Sequence, residues 1–130
     1  MRLISLTLAA LLPGAALAQA GDTPAEAPRT LEYALHEDGR LVGAPTIRLE
    51  VGRTAALSVS GNYSLRVRID RAQSAGGAPA YLVRSSLYRP AEPRWALVAQ
   101  PSLTVLPGEQ GALDVSTADG NRLSIGVTVR

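Results

Sequence analysis

The stretch Tyr63-Ser64-Leu65-Arg66-Val67-Arg68-Ile69-Asp70 decides the fold. Apolar side chains at every second position alternate with polar or charged ones, as in a β-strand that buries one face and exposes the other. Residues 122–129 repeat this alternation, with apolar residues from Leu123 to Val129 at every second position. Because neither segment has the apolar spacing of a helix, both predict half-buried strands.

An internal repeat extends outward from these strands. Residues 41–52 align with residues 97–108 at a constant offset of 56, so that Pro45 matches Pro101 and Gly52 matches Gly108. The matches fall on apolar strand positions and on the proline and glycine residues that fix backbone geometry. The chain is therefore predicted to contain two similar supersecondary units.

The predicted fold is all-β, an antiparallel β-sandwich or small barrel of about eight strands built from two four-strand units. The single domain should span residues 31–130, with units at about 31–70 and 80–130 and a Gly-rich linker at 71–79. Asp38-Gly39 predicts a hairpin turn. Because proline cannot donate to a strand ladder, the apolar runs around Pro45 and Pro101 should bend, lie at an edge or split in two.

The first 20 residues predict a cleavable signal peptide. Arg2 precedes an apolar segment at residues 3–12, and Ala18-Gln19-Ala20 is a small-x-small cleavage site, with a cut after Ala18 as the alternative. The apolar segment is shorter than the about 20 residues that a membrane-spanning helix needs. Residues 21–30 predict a flexible leader. We expect a periplasmic or secreted protein whose mature chain has no transmembrane span.

Composition excludes several chemistries. The absence of cysteine excludes disulfides, thiolate catalysis and Cys-ligated zinc. All 13 basic residues are arginine, yet the net charge is only +2, so a nucleic-acid partner is not expected. Because phenylalanine is absent, we expect the aromatic residues to fill the core. The alternative is an aromatic ligand platform of Tyr33, Tyr81, Tyr88 and Trp95.

No segment has the pattern of a catalytic or metal site. His36 is the one histidine and lies beside Glu37 and Asp38, but adjacent strand residues point to opposite faces and cannot chelate together. Asp119-Gly120-Asn121 lacks the further acidic residues of a calcium loop and predicts an ordinary turn. We therefore predict no enzymatic activity, no catalytic residue, no bound metal and no cofactor.

Arginine is concentrated in the first unit, where residues 40–71 hold six arginines and two acidic residues. Arg66 and Arg68 share one strand face, and Arg48 and Arg53, with Arg40 and Arg71, are the candidates to extend it. Such a row of guanidinium groups suits phosphate or carboxylate groups. The other interpretation is a solvated face whose arginines protect the sheet from aggregation.

Residues 45–59, from Pro45-Thr46-Ile47 through Ala55 and Leu57 to Val59, resemble a strand-turn-strand segment of the β-domain of bacterial outer-membrane secretins. Residues 101–115 form a second, looser copy of the segment. The resemblance covers about 15 residues in each copy. It implies an exported proteobacterial β-module that associates with other β-structure in the cell envelope, and it assigns no functional residue.

Together these patterns predict a non-enzymatic, exported periplasmic β-module with an interaction or accessory role in the cell envelope. The expected partner is an envelope protein bound by strand-edge pairing. An alternative is an anionic envelope ligand, lipopolysaccharide or peptidoglycan, bound at the Arg66 and Arg68 face. A third hypothesis is a periplasmic enzyme inhibitor acting through the loop at residues 89–93.

Overall fold

The all-β prediction is confirmed by the computed structural model, which describes residues 27–92 and 94–130. The predicted signal peptide and residues 21–26 of the predicted leader lie outside the described residues. The described residues form ten strands: β1 (Arg29–Glu37), β2 (Arg40–Gly43), β3 (Thr46–Leu49), β4 (Thr54–Val59), β5 (Tyr63–Gln73), β6 (Pro79–Ala91), β7 (Arg94–Ala99), β8 (Ser102–Val105), β9 (Gln110–Ser116) and β10 (Arg122–Val129). Within those two ranges, no helix has the length and apolarity to cross a membrane.

The strands form two antiparallel sheets that are not closed into a barrel. The first sheet has the order β2-β1-β10-β9, with β3 also paired to β1. The second has the order β4-β5-β6-β7, with β8 also paired to β6. Alternate residues of both sheets pack together in one hydrophobic core. Of the two predicted architectures, a β-sandwich or a small barrel, the structure is therefore the sandwich.

Two prolines explain why ten strands are found instead of about eight. Ala44-Pro45 separates β2 from β3, which pair one after the other along the same edge of β1, and Gln100-Pro101 separates β7 from β8 along β6. Each proline carbonyl still accepts a ladder bond: Tyr33 N–H donates to Pro45 at 3.0 Å and Ser85 N–H donates to Pro101 at 3.0 Å. Of the three predicted outcomes, a bend, an edge position or a split, the runs show the last two: each lies at a sheet edge and is divided into two strands.

The two halves of the chain have the same connectivity. In the first half, β1, β2 and β3 belong to the first sheet, and the hairpin of β4 and β5 belongs to the second. In the second half, β6, β7 and β8 belong to the second sheet, and the hairpin of β9 and β10 belongs to the first. In the turn before β4, the Gly52 N–H donates to the Ile69 carbonyl at 2.7 Å. In the turn before β9, the Gly108 N–H donates to the Val129 carbonyl at 2.7 Å. Both glycines have positive φ, 87° and 79°. Matched sequence positions therefore occupy equivalent places in the two sheets.

The linker expected at residues 71–79 is shorter than predicted, because both of its ends belong to strands. β5 continues to Gln73 and β6 begins at Pro79, so only residues 74–78 form the turn. Ser74 N–H donates to the Ala78 carbonyl at 2.9 Å, and Ala78 N–H donates to Ser74 Oγ at 3.1 Å. Likewise, the last two residues of the predicted leader belong to β1, where Thr30 N–H donates to the Arg130 carbonyl at 2.9 Å. The composition of the linker and of the leader suggested loops at both places. Their ends are strands because they pair with residues that are distant in the sequence.

The core contains a hydrogen-bonded tyrosine at the contact between the sheets. Tyr33 is 1% exposed, and its hydroxyl lies 3.1 Å from Ser85 Oγ. Ser85 Oγ in turn donates to the Pro101 carbonyl at 3.4 Å. Burial raises the pKa of Tyr33 to about 12, opposed by the bond to Ser85. The polar atoms of this buried group are therefore satisfied in the neutral form.

Candidate functional site

The outer face of the second sheet carries a cluster of three arginines. Arg66 and Arg68 lie on the exposed side of β5, as expected, and Arg84 of β6 lies directly opposite Arg68. Arg84 could not be assigned to this face from the sequence, because its place there depends on the β5–β6 register, which pairs residues across the turn at 74–78. We call Arg66, Arg68 and Arg84 the arginine cluster.

Only one carboxylate neutralises this cluster in the part of the chain that the structure describes. Both oxygens of Asp70 accept from Arg68 Nε at 3.0 Å. Arg66 instead stacks over the Tyr88 ring, with its Cζ 5.7 Å from the ring centroid. No described carboxylate lies within 4.0 Å of the guanidinium nitrogens of Arg66 or Arg84. The outer face of the second sheet is therefore positively charged.

Arg48 and Arg53 do not join the arginine cluster. Arg48 lies on β3 in the first sheet, because the chain crosses between sheets after β3. Arg53 lies in the turn before β4 and pairs with Glu50 at 3.3 Å. Both line an open cavity of about 310 Å³ with Thr54. The four arginines predicted as one surface are thus divided between the two sheets and the turn that connects them.

Exposed apolar side chains lie beside the arginine cluster. Trp95 is 52% exposed and Leu97 is 48% exposed, and their cross-strand partners are Pro90 and Tyr88. The prediction that the aromatic residues fill the core is therefore wrong for Trp95, while the other aromatic residues, Tyr33, Tyr63 and Tyr81, are buried and Tyr88 is half-buried. Residue type suggested burial, but the register of the edge strand β7 points Trp95 outward.

The four sheet edges differ in how they are protected against pairing. The edge run of β2 and β3 is broken by Pro45, and that of β7 and β8 by Pro101. The edge strand β9 carries a charged residue, Asp114, at its exposed side. The edge strand β4, Thr54–Val59, contains no charge, proline or glycine. Of these four edges, β4 alone therefore lacks the proline or charged residue that commonly prevents a sheet edge from pairing with another strand.

A polar network closes one end of the sandwich. Glu37 accepts from Tyr63 Oη at 2.9 Å, from Arg89 Nη2 at 2.9 Å and from Asn121 Nδ2 at 2.6 Å. Arg89 also donates to the Tyr63 hydroxyl, and its Nη1 donates to Asp119 Oδ2 at 2.6 Å. Glu37 therefore accepts hydrogen bonds from three side chains of the fold and acts as a structural carboxylate. We call these five residues the Glu37 network.

The charges of this network are tuned by its own contacts. Burial raises the pKa of Tyr63, and the hydrogen bond from Arg89 opposes that rise. A hydrogen bond from Thr117 is the largest cause that lowers the pKa of Asp119, to which Arg89 also contributes. The hydrogen bond to Tyr63 raises the pKa of Arg89. Arg89, the first residue of the loop named in the inhibitor hypothesis, is held in this network.

An open cavity of about 530 Å³ borders the Glu37 network. Its polar lining includes Asp38, Arg40, Ser60 and Asn62. Asp38 occupies the expected hairpin turn with φ of 50°, and its Oδ1 accepts from Arg122 N–H at 3.0 Å. Both carboxylates at the cavity therefore already accept hydrogen bonds. Residues 27–92 and 94–130 bring together no group of three His, Cys, Asp or Glu that could hold a metal ion.

Comparisons with protein-family models, with curated proteins and with solved structures gave no match to this chain.

Proposed function

We propose that this protein is a non-enzymatic, exported β-module that binds a protein partner by adding the partner's strand to the edge of β4. The observation that carries the proposal is the β4 edge itself, six residues long and free of charge, proline and glycine. Protected edges avoid foreign strands, whereas an unprotected edge is a template for pairing.

The backbone of β4 supplies the means of binding. One side of β4 pairs with β5 from Thr54 to Val59. On the other side, its backbone groups make no hydrogen bond to any residue that the structure describes. An extended peptide can satisfy those groups without rearrangement of the sandwich, so main-chain bonds provide affinity and side-chain contacts provide specificity.

Export supports an envelope role for the partner. Residues 1–20 have the charged, apolar and small-residue segments of a signal peptide. The resemblance of residues 45–59 to a secretin strand-turn-strand segment favours a partner that is itself rich in β-structure. This segment contains β4, the strand whose edge is open.

The test compares the same charge placed on two equivalent edges. A display library of random extended peptides is selected against residues 21–130. Ser58→Asp puts on β4 the charge that β9 carries at the matched position, Asp114. We expect Ser58→Asp to weaken the selected peptides about tenfold, because a charge blocks an edge strand. The matched control Ala112→Asp adds the same charge to β9 and should leave binding unchanged.

Protection of backbone amides supplies a second readout. Hydrogen exchange at β4 should slow when a selected peptide is bound and should stay unchanged at β9. A library that yields no binder contradicts the proposal. Peptides that bind Ser58→Asp and wild type equally, or that protect β9 instead of β4, contradict it as well.

A second candidate function is binding of an anionic envelope ligand at the arginine cluster. Its specific observation is that Arg66 and Arg84 are exposed and have no described carboxylate partner. Lipopolysaccharide or peptidoglycan should then bind at low salt, be released at high salt and be lost in Arg66→Gln/Arg84→Gln. Binding of either ligand that survives both changes contradicts this candidate.

A further inference from the structure

We infer that the strand added to β4 is amphipathic, with acidic side chains on its exposed face that pair with Arg66 and Arg68. This inference rests on the proposed function and adds the chemistry of the partner to it. It unites two features that the fold places side by side: the open edge of β4 and the positive outer face of β5.

The exposed side chains of β4 are small enough for a partner to reach across them. They are Thr54, Ala56 and Ser58. Ala56 lies directly opposite Arg66, and Thr54 lies directly opposite Arg68. Strands in a sheet are about 4.8 Å apart, so an added strand would lie about 10 Å from β5. A glutamate side chain on the added strand and an arginine side chain on β5 are together long enough to meet across β4, because the β4 side chain between them is only an alanine or a threonine.

The other face of the added strand must be apolar. Ala55 and Leu57 point inward from β4 and are half-buried, because no strand covers them on the open side. A partner strand with apolar residues at alternate positions would complete their burial. The same alternation places the remaining side chains of the partner on the exposed face, beside the arginines.

Charge on the two outer faces favours an acidic partner at this edge. On the first sheet, Glu32 pairs with Arg130 at 3.2 Å and Asp114 pairs with Arg122 at 3.9 Å. On the second sheet, Asp70 is the one carboxylate among the described residues that pairs with the arginine cluster. Arg68 and Arg84 are direct cross-strand neighbours, an arrangement that is destabilising for like charges. Asp70 offsets part of that repulsion through Arg68, and carboxylates from a partner would offset more of it.

A second copy of this chain fits the edge less well. Two β4 strands pairing with each other would present only Thr, Ala and Ser on the exposed side. The arginines of both copies would then flank the junction with no carboxylate between them. The chemistry therefore favours an acidic strand of a different protein.

The test uses three synthetic peptides that match the six residues of β4 in length. All have valine at the inward positions, and they carry glutamate, glutamine or lysine at the outward positions. Fluorescence anisotropy gives the Kd of each peptide for residues 21–130, for Arg66→Gln/Arg68→Gln and for Arg122→Gln/Arg130→Gln. The last variant is the matched control, because it removes the same charge from the first sheet.

At low salt, the glutamate peptide should bind about tenfold more tightly than the glutamine peptide, and the lysine peptide should bind most weakly. The advantage of glutamate should disappear in Arg66→Gln/Arg68→Gln and persist in the control variant. It should also shrink at high salt, because the screening length falls from about 10 Å at 0.1 M to about 3 Å at 1 M. The affinity of the glutamine peptide should change little in any of these conditions.

The possible failures separate the inference from the proposed function. Equal affinities for the glutamate and glutamine peptides, both lost in Ser58→Asp, overturn the inference and leave strand addition standing. If no peptide binds, strand addition fails and the inference fails with it. Sedimentation that shows a dimer abolished by Ser58→Asp identifies a second copy as the occupant and overturns the inference. Lipopolysaccharide that binds the arginine cluster without displacing a peptide overturns it too.

Discussion

Glu37 and Arg89 occupy equivalent positions in the two halves of the chain and bond to each other, with Arg89 Nη2 donating to Glu37 Oε2 at 2.9 Å. Each lies two residues after a leucine at which the strand register shifts, Leu35 in β1 and Leu87 in β6. Because β1 and β6 belong to different sheets, this ion pair ties the sheets together at one end of the sandwich.

Arg89→Ala should lower the free energy of unfolding by about 2 kcal/mol, since the partly buried Glu37 loses its charged donor. Urea denaturation measures the change. The control is Arg122→Ala, whose ion pair to Asp114 spans 3.9 Å between side chains that are 68% and 59% exposed. It should cost less than about 0.5 kcal/mol. Equal costs for the two variants would show that the Glu37 network has no special role.

The raised pKa of Tyr33 predicts a loss of stability at alkaline pH. Its folded-state pKa of about 12 lies above the ordinary value of 10.0, so the folded protein favours the neutral phenol. This contribution is complete below pH 10 and is lost as the pH rises toward 12, by about 2 to 3 kcal/mol in total. Urea denaturation at a series of pH values checks it. Tyr33→Phe, which cannot ionise, should flatten the decline; an unchanged pH profile would contradict the assignment.

A close approach between β8 and β9 requires glycine at position 111. A Cβ there would lie 2.5 Å from Val105 Cγ1 and 2.8 Å from Leu103 Cδ1. Gly111→Ala should therefore destabilise the protein by about 1 to 3 kcal/mol through overpacking. Gly76→Ala is the matched control, because nothing lies within 4 Å of its Cβ. Thermal melting compares the two, and a stable Gly111→Ala would show that β8 and β9 can separate without cost.

Export can be tested directly on the full chain. Expressed in a Gram-negative host, the protein should appear in the periplasm or the medium with Gly21 as its first residue, as read by intact-mass spectrometry. Ala18→Arg/Ala20→Arg should block processing, because the cleavage site needs small residues at both positions. A full-length, unprocessed wild-type chain retained in the cytoplasm would contradict the signal-peptide prediction.

Local pattern was sufficient for most of the fold. Alternation in residues 63–70 and 122–129 predicted the inner strands β5 and β10, and Asp38-Gly39 predicted a turn that the structure confirms. Pro45 predicted that its apolar run would bend, lie at an edge or split in two, because proline has no N–H to donate to any neighbouring strand. These features depend on the backbone chemistry of neighbouring residues, so they can be read without knowing the pairing.

The candidate site was only half predicted. Arg66 and Arg68 were placed on one face because residues two apart in a strand point the same way. Arg84 was missed and Arg48 was misplaced, since each depends on which strand pairs with which and in what register. Trp95 was assigned to the core because the chain has no phenylalanine, but the β6–β7 register exposes it.

The sequence by itself therefore determined the strand class, the inner strands, the breaks at the prolines and the matching of the two units. The tertiary structure alone decided that each unit divides between two sheets, that Glu37 meets Arg89 and that β4 ends a sheet with its edge open. The physical reason is the sequence separation of the interacting residues. Backbone preferences and alternation depend on residues close together in the chain, whereas sheet order depends on contacts between residues far apart in it.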